Sequence, residues 1–289
     1  MPAFALDDPS PADPRHRWAE LDRAARGACY DNNAGVADSA AQVATRNADS
    51  AAYRAAHGRH LDIAYAEGTR TAFDLYPAED PAAPCLVFIH GGYWQRNARD
   101  DFACFAAGPN AAGWSVAMPG YTLAPETSLS GIVREIGAAL DWLASEGHRH
   151  GIAGRLILSG WSAGAQLAAL HLGHPAVAAG LAISGVYDLA PLRDTYLNDK
   201  LALSDEEIES LSPLRLPITN KPLTIAYGTR ELPALIRDGR NLHAKRSAAH
   251  APGPLLPVAN ADHFSILNAF RRPDGLLVRA AQSLVGDLR

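Results

Sequence analysis

The sequence predicts an α/β protein built on a mostly parallel, doubly wound sheet with antiparallel strands at its N-terminal edge. Three observations carry this expectation. Beyond Pro84 one unit recurs, a short apolar run, a turn and a helical pattern, which is the signature of β-α-β crossovers and of a sheet covered on both faces. Before Pro84 the apolar residues instead alternate, as in strands with a polar side. Finally, 289 residues that are 48% apolar and 20% charged suffice for one large core, at the size where cores begin to split. One domain with at most a small helical cap is expected.

Residues 1–14 hold Asp7, Asp8, Asp13 and four prolines and read as a polar arm. Over 15–29, Trp18, Leu21, Ala25 and Cys29 recur at helical spacing, and a second, Ala-rich helix is expected over about 36–56. Residues 1–57 are thus an N-terminal arm with helices, which either form part of a lid or pack on the sheet's outer face. Residues 58–289 make the main domain. It opens with strands at 60–65 and 71–76, folded about Glu67-Gly68-Thr69 and closed by Pro77, an edge hairpin. Parallel strands are expected at 85–89, 114–118, 155–159, 180–186, 223–227 and 255–259. Helices between them are marked by Ile132, Ile136, Leu140 and Leu143, and by Leu167 to Leu172. The stretch 187–221 has no strand and reads as a cap insert, in which Ser204-Asp205-Glu206-Glu207 is a capping box rather than a binding patch.

The strongest chemical signal is Gly160-Trp161-Ser162-Ala163-Gly164. G-x-S-x-G alone is a weak pattern, but this one follows an apolar run and opens a helical one, the strand-to-helix elbow that exposes a nucleophilic serine. A hydroxyl needs a base to take its proton and a third group to orient that base. In chain order serine, acid, histidine, only His243, His250 and His263 of the 11 histidines lie far enough downstream. His263 alone follows a strand within a short loop, so it is read as the general base. Glu231, just beyond the strand at 223–227, is read as the acid, with Asp188 as the main rival and Asp238 and Asp262 as others. His90-Gly91-Gly92-Tyr93-Trp94 follows the strand at 85–89, where backbone amides can face a developing oxyanion. Gly91, Gly92 and Ala163 are the candidate oxyanion donors, and His90 is read as a loop brace. Tyr93, Trp94 and Trp161 are expected to wall the pocket and favour an aromatic small molecule.

Other classes are set aside. Lys plus Arg total 26 against 31 for Asp plus Glu, a net charge of -5, which gives no basic excess for nucleic acid. The long uncharged stretches at 102–125 and 156–187 are broken by Gly and Pro, so no membrane span is expected. Cys29, Cys85 and Cys104 suit neither a disulfide framework nor zinc, the N-terminus lacks a secretory pattern, and a reducing cytoplasm fits. His171 and His174 are spaced like metal ligands but lack companions, so no metal is assigned, and no cofactor motif occurs. The assembly state is open, a homodimer included.

Five segments give the chain a resemblance. His90-Gly91-Gly92-Tyr93-Trp94-Gln95, Gly120-Tyr121-Thr122-Leu123-Ala124-Pro125, Ser162-Ala163-Gly164-Ala165, Ser184-Gly185-Val186-Tyr187-Asp188-Leu189 and His263-Phe264 resemble those of the α/β-hydrolase arylformamidases, the kynurenine formamidase type, within the H-G-G esterase and lipase group. Tyr30-Asp31-Asn32-Asn33 is also similar, so the likeness runs from about residue 28 to residue 270. It implies cofactor-free deformylation of N-formylkynurenine in tryptophan catabolism by Ser162, Glu231 and His263. Trp161 stands where the family commonly has His, and Glu231 where Asp is commoner. A carboxylesterase for small acyl or aryl esters, using the same residues, is the alternative; a catalytically inactive receptor on the same fold is a third.

Overall fold

A computed structural model describes residues 18–286. The strands are β1 Ile63–Ala64, β2 Ala72–Tyr76, β3 Cys85–Ile89, β4 Ser115–Pro119, β5 Leu156–Trp161, β6 Val177–Ile183, β7 Leu223–Gly228 and β8 Leu255–Val258. They form one sheet in the order β1-β2-β4-β3-β5-β6-β7-β8. β1 pairs antiparallel with β2, β2 pairs antiparallel with β4, and every later pairing is parallel. This is the α/β hydrolase fold. The main helices are α1 Arg23–Ala28, α2 Ser39–Ala56, α3 Leu129–Glu146, α4 Ala163–Leu170, α5 Asp205–Leu211, α6 Pro233–Ala248 and α7 Leu276–Gly286. No helix of the described residues is long and apolar enough to cross a membrane.

A continuous apolar run becomes a central strand because both of its faces are covered. In β3, Cys85, Val87 and Ile89 join the core on one face of the sheet, with Leu140 and Leu167 from α3 and α4. Leu86 and Phe88 point the other way, to Phe102, Phe270 and Leu277. α3 buries Leu129, Ile132, Ile136, Leu140 and Leu143, a stripe of helical period, and starts where the Ser128 side chain accepts from the Gly131 amide.

Several boundaries differ from those expected. Among the described residues the helix read over 15–29 is interrupted at 19–22 and runs over Arg23–Ala28, where the Asp22 side chain caps it by accepting from Ala25 N; residues 15–17 lie outside the described ones. β1 is only Ile63–Ala64, and β6 begins at Val177 rather than 180. α2 buries Ser39, Arg46 and Ser50 rather than an apolar stripe. Ser50 Oγ donates to Asp101 O and accepts from Cys104 N, so the helix docks by polar contacts on the 3-10 segment Arg99–Ala106. In the 187–221 stretch, Ser204 and Glu207 do form a reciprocal capping box for α5, and Glu207 Oε1 also accepts from Ser130 N and Oγ, tying this segment to α3.

Asp238 on α6 holds the segment that follows β6 by accepting from Tyr187 N at 2.9 Å and Asp188 N at 3.3 Å. Burial pushes its carboxyl up from 3.8 to about 6, against the pull of those amides and of Arg237. A folded-state value above the unfolded one means that the native state binds the proton more tightly. The stability it contributes is therefore full below about pH 4 and is lost as pH rises through about 6. Asp238→Asn keeps an accepting oxygen without the buried charge. Relative to wild type it is expected to gain on the order of 2 kcal/mol between pH 4 and 7. Thermal melts at both pH values check this, and an unchanged difference between the two proteins would exclude it.

Candidate active site

The C-terminal ends of β5, β6, β7 and β8, adjacent in the sheet, each deliver one side chain to a single cluster. Ser162 follows β5 with φ 58° and ψ -119°, a strained conformation of the kind that costs about 1–3 kcal/mol and is held by its surroundings. Its amide donates to Ile183 O at 2.8 Å. The flanking glycines let α4 lie against the sheet: a Cβ on Gly160 would come 2.1 Å from Gly164 O, and one on Gly164 2.1 Å from Ile89 O. Ser162 Oγ is 3.2 Å from His263 Nε2, and His263 Nδ1 is 3.1 Å from Glu231 Oε2. All three side chains are buried. The other oxygen, Glu231 Oε1, accepts from Gly228 N and from Ser184 Oγ, both at 2.6 Å. Such a linkage can move a proton from a hydroxyl to an imidazole whose other nitrogen is held by a carboxylate.

The rival acids are occupied elsewhere. Asp188 pairs with Arg215 at 3.1 Å, Asp238 receives the amides described above, and Asp262 Oδ1 accepts from Phe264 N and Ser265 N. That last turn aims the preceding loop, while Trp161 Nε1 donates to His263 O at 2.8 Å and its ring lies 4.7 Å from the imidazole. His243 lies on α6 and His250 just after it, on the surface side. His171 and His174 bond to Val133 O and Asp141, and no metal-type cluster occurs among the described residues.

Gly91 and Gly92 lie against the serine elbow. A Cβ on Gly91 would sit 2.5 Å from Trp161 O and 2.9 Å from Ser162 Cβ. Among the described residues no acceptor takes the amides of Gly91, Gly92 or Ala163, which leaves them for a ligand oxygen. His90 braces this loop. Its Nδ1 is 3.0 Å from Gly91 O, its ring stacks on Tyr121 with centroids 4.3 Å apart, and burial lowers its pKa to about 3, so it is neutral.

A cavity of about 200 Å³ opens over Ser162 and His263, walled by Tyr93, Trp161, Tyr196 and Phe264. Asp31, Asn32, Asn33, Val43 and Arg46 from the N-terminal helices also line it. It adjoins a second compartment of about 480 Å³, and Val43, Arg46, Trp161 and Phe264 face both. Tyr93 keeps its place through its hydroxyl, which donates to Tyr30 O and accepts from Asn32 Nδ2. Trp94, expected in the wall, is instead fully buried in the core, where Nε1 donates to Gln166 Oε1. Tyr93 and Trp94 both have positive φ, and the turn this makes sends the second ring inward. From the sequence, Ser184 and Phe264 enter only through the resemblance, with no role in the site, and Arg46 and Tyr196 do not stand out. Ser184 could have been suspected, since it lies within the run at 180–186, directly after the observed end of β6 on the same sheet edge.

Residues 86–224 match the family model of the alpha/beta hydrolase fold. The kynurenine formamidase of Danio rerio is 26% identical over 242 residues, covering 78% of this chain and 82% of that one. That of Drosophila melanogaster is 32% identical over 182 residues, 55% of this chain and 60% of that one. Among solved structures, a candidate thioesterase from Silicibacter sp. TM1040 is 29% identical and superposes with a TM-score of 0.79, covering 91% of this chain and 99% of that one. The esterase LipW from Mycobacterium marinum, 20% identical with a TM-score of 0.71 over 88% of this chain and 91% of that one, shares the fold.

Proposed function

We propose that this chain, an arylformamidase-like α/β hydrolase, cleaves an aryl formamide such as N-formylkynurenine to the free arylamine and formate. The observation that carries the reading is the Ser162–His263–Glu231 linkage at the floor of an aromatic-walled cavity, and the likeness to kynurenine formamidases supports the substrate class. Ser162 Oγ attacks the formyl carbon as His263 Nε2 takes its proton. The amides of Gly91, Gly92 and Ala163 receive the oxyanion. The C–N bond then breaks, the departing amine takes the proton from His263, and a formyl ester remains on Ser162. Water, deprotonated by His263, releases formate and restores the hydroxyl. Each step uses only this chain's residues and water. Cytoplasmic action is part of the proposal, supported by three free cysteines.

The deciding experiment is kcat/KM for N-formyl-L-kynurenine, followed by kynurenine absorbance, beside a short-chain p-nitrophenyl ester. A formamide value of about 10⁴ M⁻¹s⁻¹ or more, well above that for the ester, is expected. Ester turnover with negligible formamide cleavage would favour the carboxylesterase reading; several of the structural neighbours are named esterases.

Ser184 is the positioning residue of the set, since it acts on the reaction only through Glu231. Ser184→Ala removes a short hydrogen bond to a buried carboxylate, and kcat is expected to fall about 10-fold with KM nearly unchanged. A matching rise in KM would contradict that role.

A further inference from the structure

Arg46 is a buried cation at the seam of the two compartments, 6% exposed and facing both. Its guanidinium carbon lies 4.2 Å from the Phe102 ring centroid, and Nε and Nη2 donate to Asn47 Oδ1. Arg46 makes no ion pair among the described residues. Asp101 acts on it from a distance, but Asp101 Oδ2 is engaged by the Ala98 amide at 2.9 Å. Arg271, which shares the larger compartment, is by contrast paired with Asp49 at 2.6 Å. Burial pulls the Arg46 pKa down, the direction expected when a guanidinium lacks a full counter-charge. Buried charges are normally paired, and a planar guanidinium fork is the geometric complement of a carboxylate.

We propose that Arg46 anchors the carboxylate of an α-amino-acid formamide, so that the site selects N-formyl aryl amino acids over simple aryl formamides. This rests on the formamidase reading above. With the formamide at Ser162 and the ring against Trp161 and Phe264, an amino-acid tail runs toward the compartment that Arg46 faces. Beyond the cation, Asp38 and Asp262 line the same compartment and suit the tail's ammonium group. Burial raises the Asp262 carboxyl, but the Ser265 and Phe264 amides and the Gln42 side chain outweigh it and hold the group below its ordinary range, as the anion.

The test compares kcat/KM for N-formyl-L-kynurenine with that for the formamide of kynuramine, the same aryl formamide without the carboxylate. Wild type is expected to prefer the amino acid by about 10- to 100-fold, the worth of a charge-assisted hydrogen-bonded pair. In Arg46→Met that ratio is expected to fall toward one, and in Arg46→Lys to lie between. If both substrates lose together and the ratio stays at the wild-type value, Arg46 only braces the 99–106 segment and the proposal is overturned. Equal turnover of the two formamides by wild type overturns it without any variant and leaves the formamidase reading standing. Cleavage of esters but of neither formamide overturns both.

Discussion

Replacing Ser162 with alanine is expected to lower kcat/KM for the formamide by about 10⁴-fold or more while the protein stays folded. The size follows from the cluster's construction. Ser162 Oγ is the hydroxyl that His263 Nε2 meets, at 3.2 Å, whereas the neighbouring hydroxyl of Ser184 is committed to Glu231 Oε1 on the far side of the imidazole. No second oxygen of the cluster stands ready to replace the nucleophile. The side chain is nearly buried and its loss removes one hydroxyl, so the fold loses little. Formate release and labelling by a serine-directed fluorophosphonate should vanish together, with an unshifted circular dichroism melt as control. Formate release at the wild-type rate would exclude the mechanism.

Gly91→Ala is expected to lower kcat by about 10²- to 10³-fold, the range seen when an oxyanion donor is displaced. The added Cβ would meet Trp161 O at 2.5 Å, Trp161 Cε3 at 2.7 Å and Ser162 Cβ at 2.9 Å. Two of these atoms belong to the strained elbow and its strand, which the Ile183 carbonyl and α4 hold in place, so the 90–94 loop must retreat instead. A retreating loop carries its amides away from the reacting carbon. Steady-state kinetics with N-formyl-L-kynurenine check this, and wild-type kcat in the variant would mean that these amides take no part.

The parts of the fold and cluster legible in the sequence share one physical property. Ser162 and Glu231 each follow an apolar run buried on both faces, and His263 follows a shorter, half-buried one at the sheet's edge; such runs announce themselves without any partner being known. Chain order then leaves few choices for the base. What was not legible depends on partners distant in sequence. Trp94 reads as readily as a pocket wall as a core ring until Gln166 is seen beneath it. α2 hides its docking face because that face is polar, with Ser50 satisfied by the backbone of Asp101 and Cys104, and hydropathy periodicity is blind to such a face. Arg46 belongs to the same helix and was invisible for the same reason. Glu231 and Asp188 both follow strands at this sheet edge, and only the folded contacts distinguish them: Glu231 lies beside His263 and Asp188 beside Arg215.

The sheet's two margins bear on how the protein behaves at high concentration. An edge strand offers unpaired amides and carbonyls to any other chain, and this is a common origin of aggregation. Here one margin, β1, is two residues long, too short to template a partner. The other, β8, is four residues long and contains Pro257. Val258 O accepts from Thr229 N and so faces β7; by alternation, residue 257 turns its backbone outward, where a ninth strand would have to bond, and proline offers no N–H there. The sheet therefore ends at both sides in strands that discourage extension, and assembly of this protein by strand addition is disfavoured by its own covalent structure.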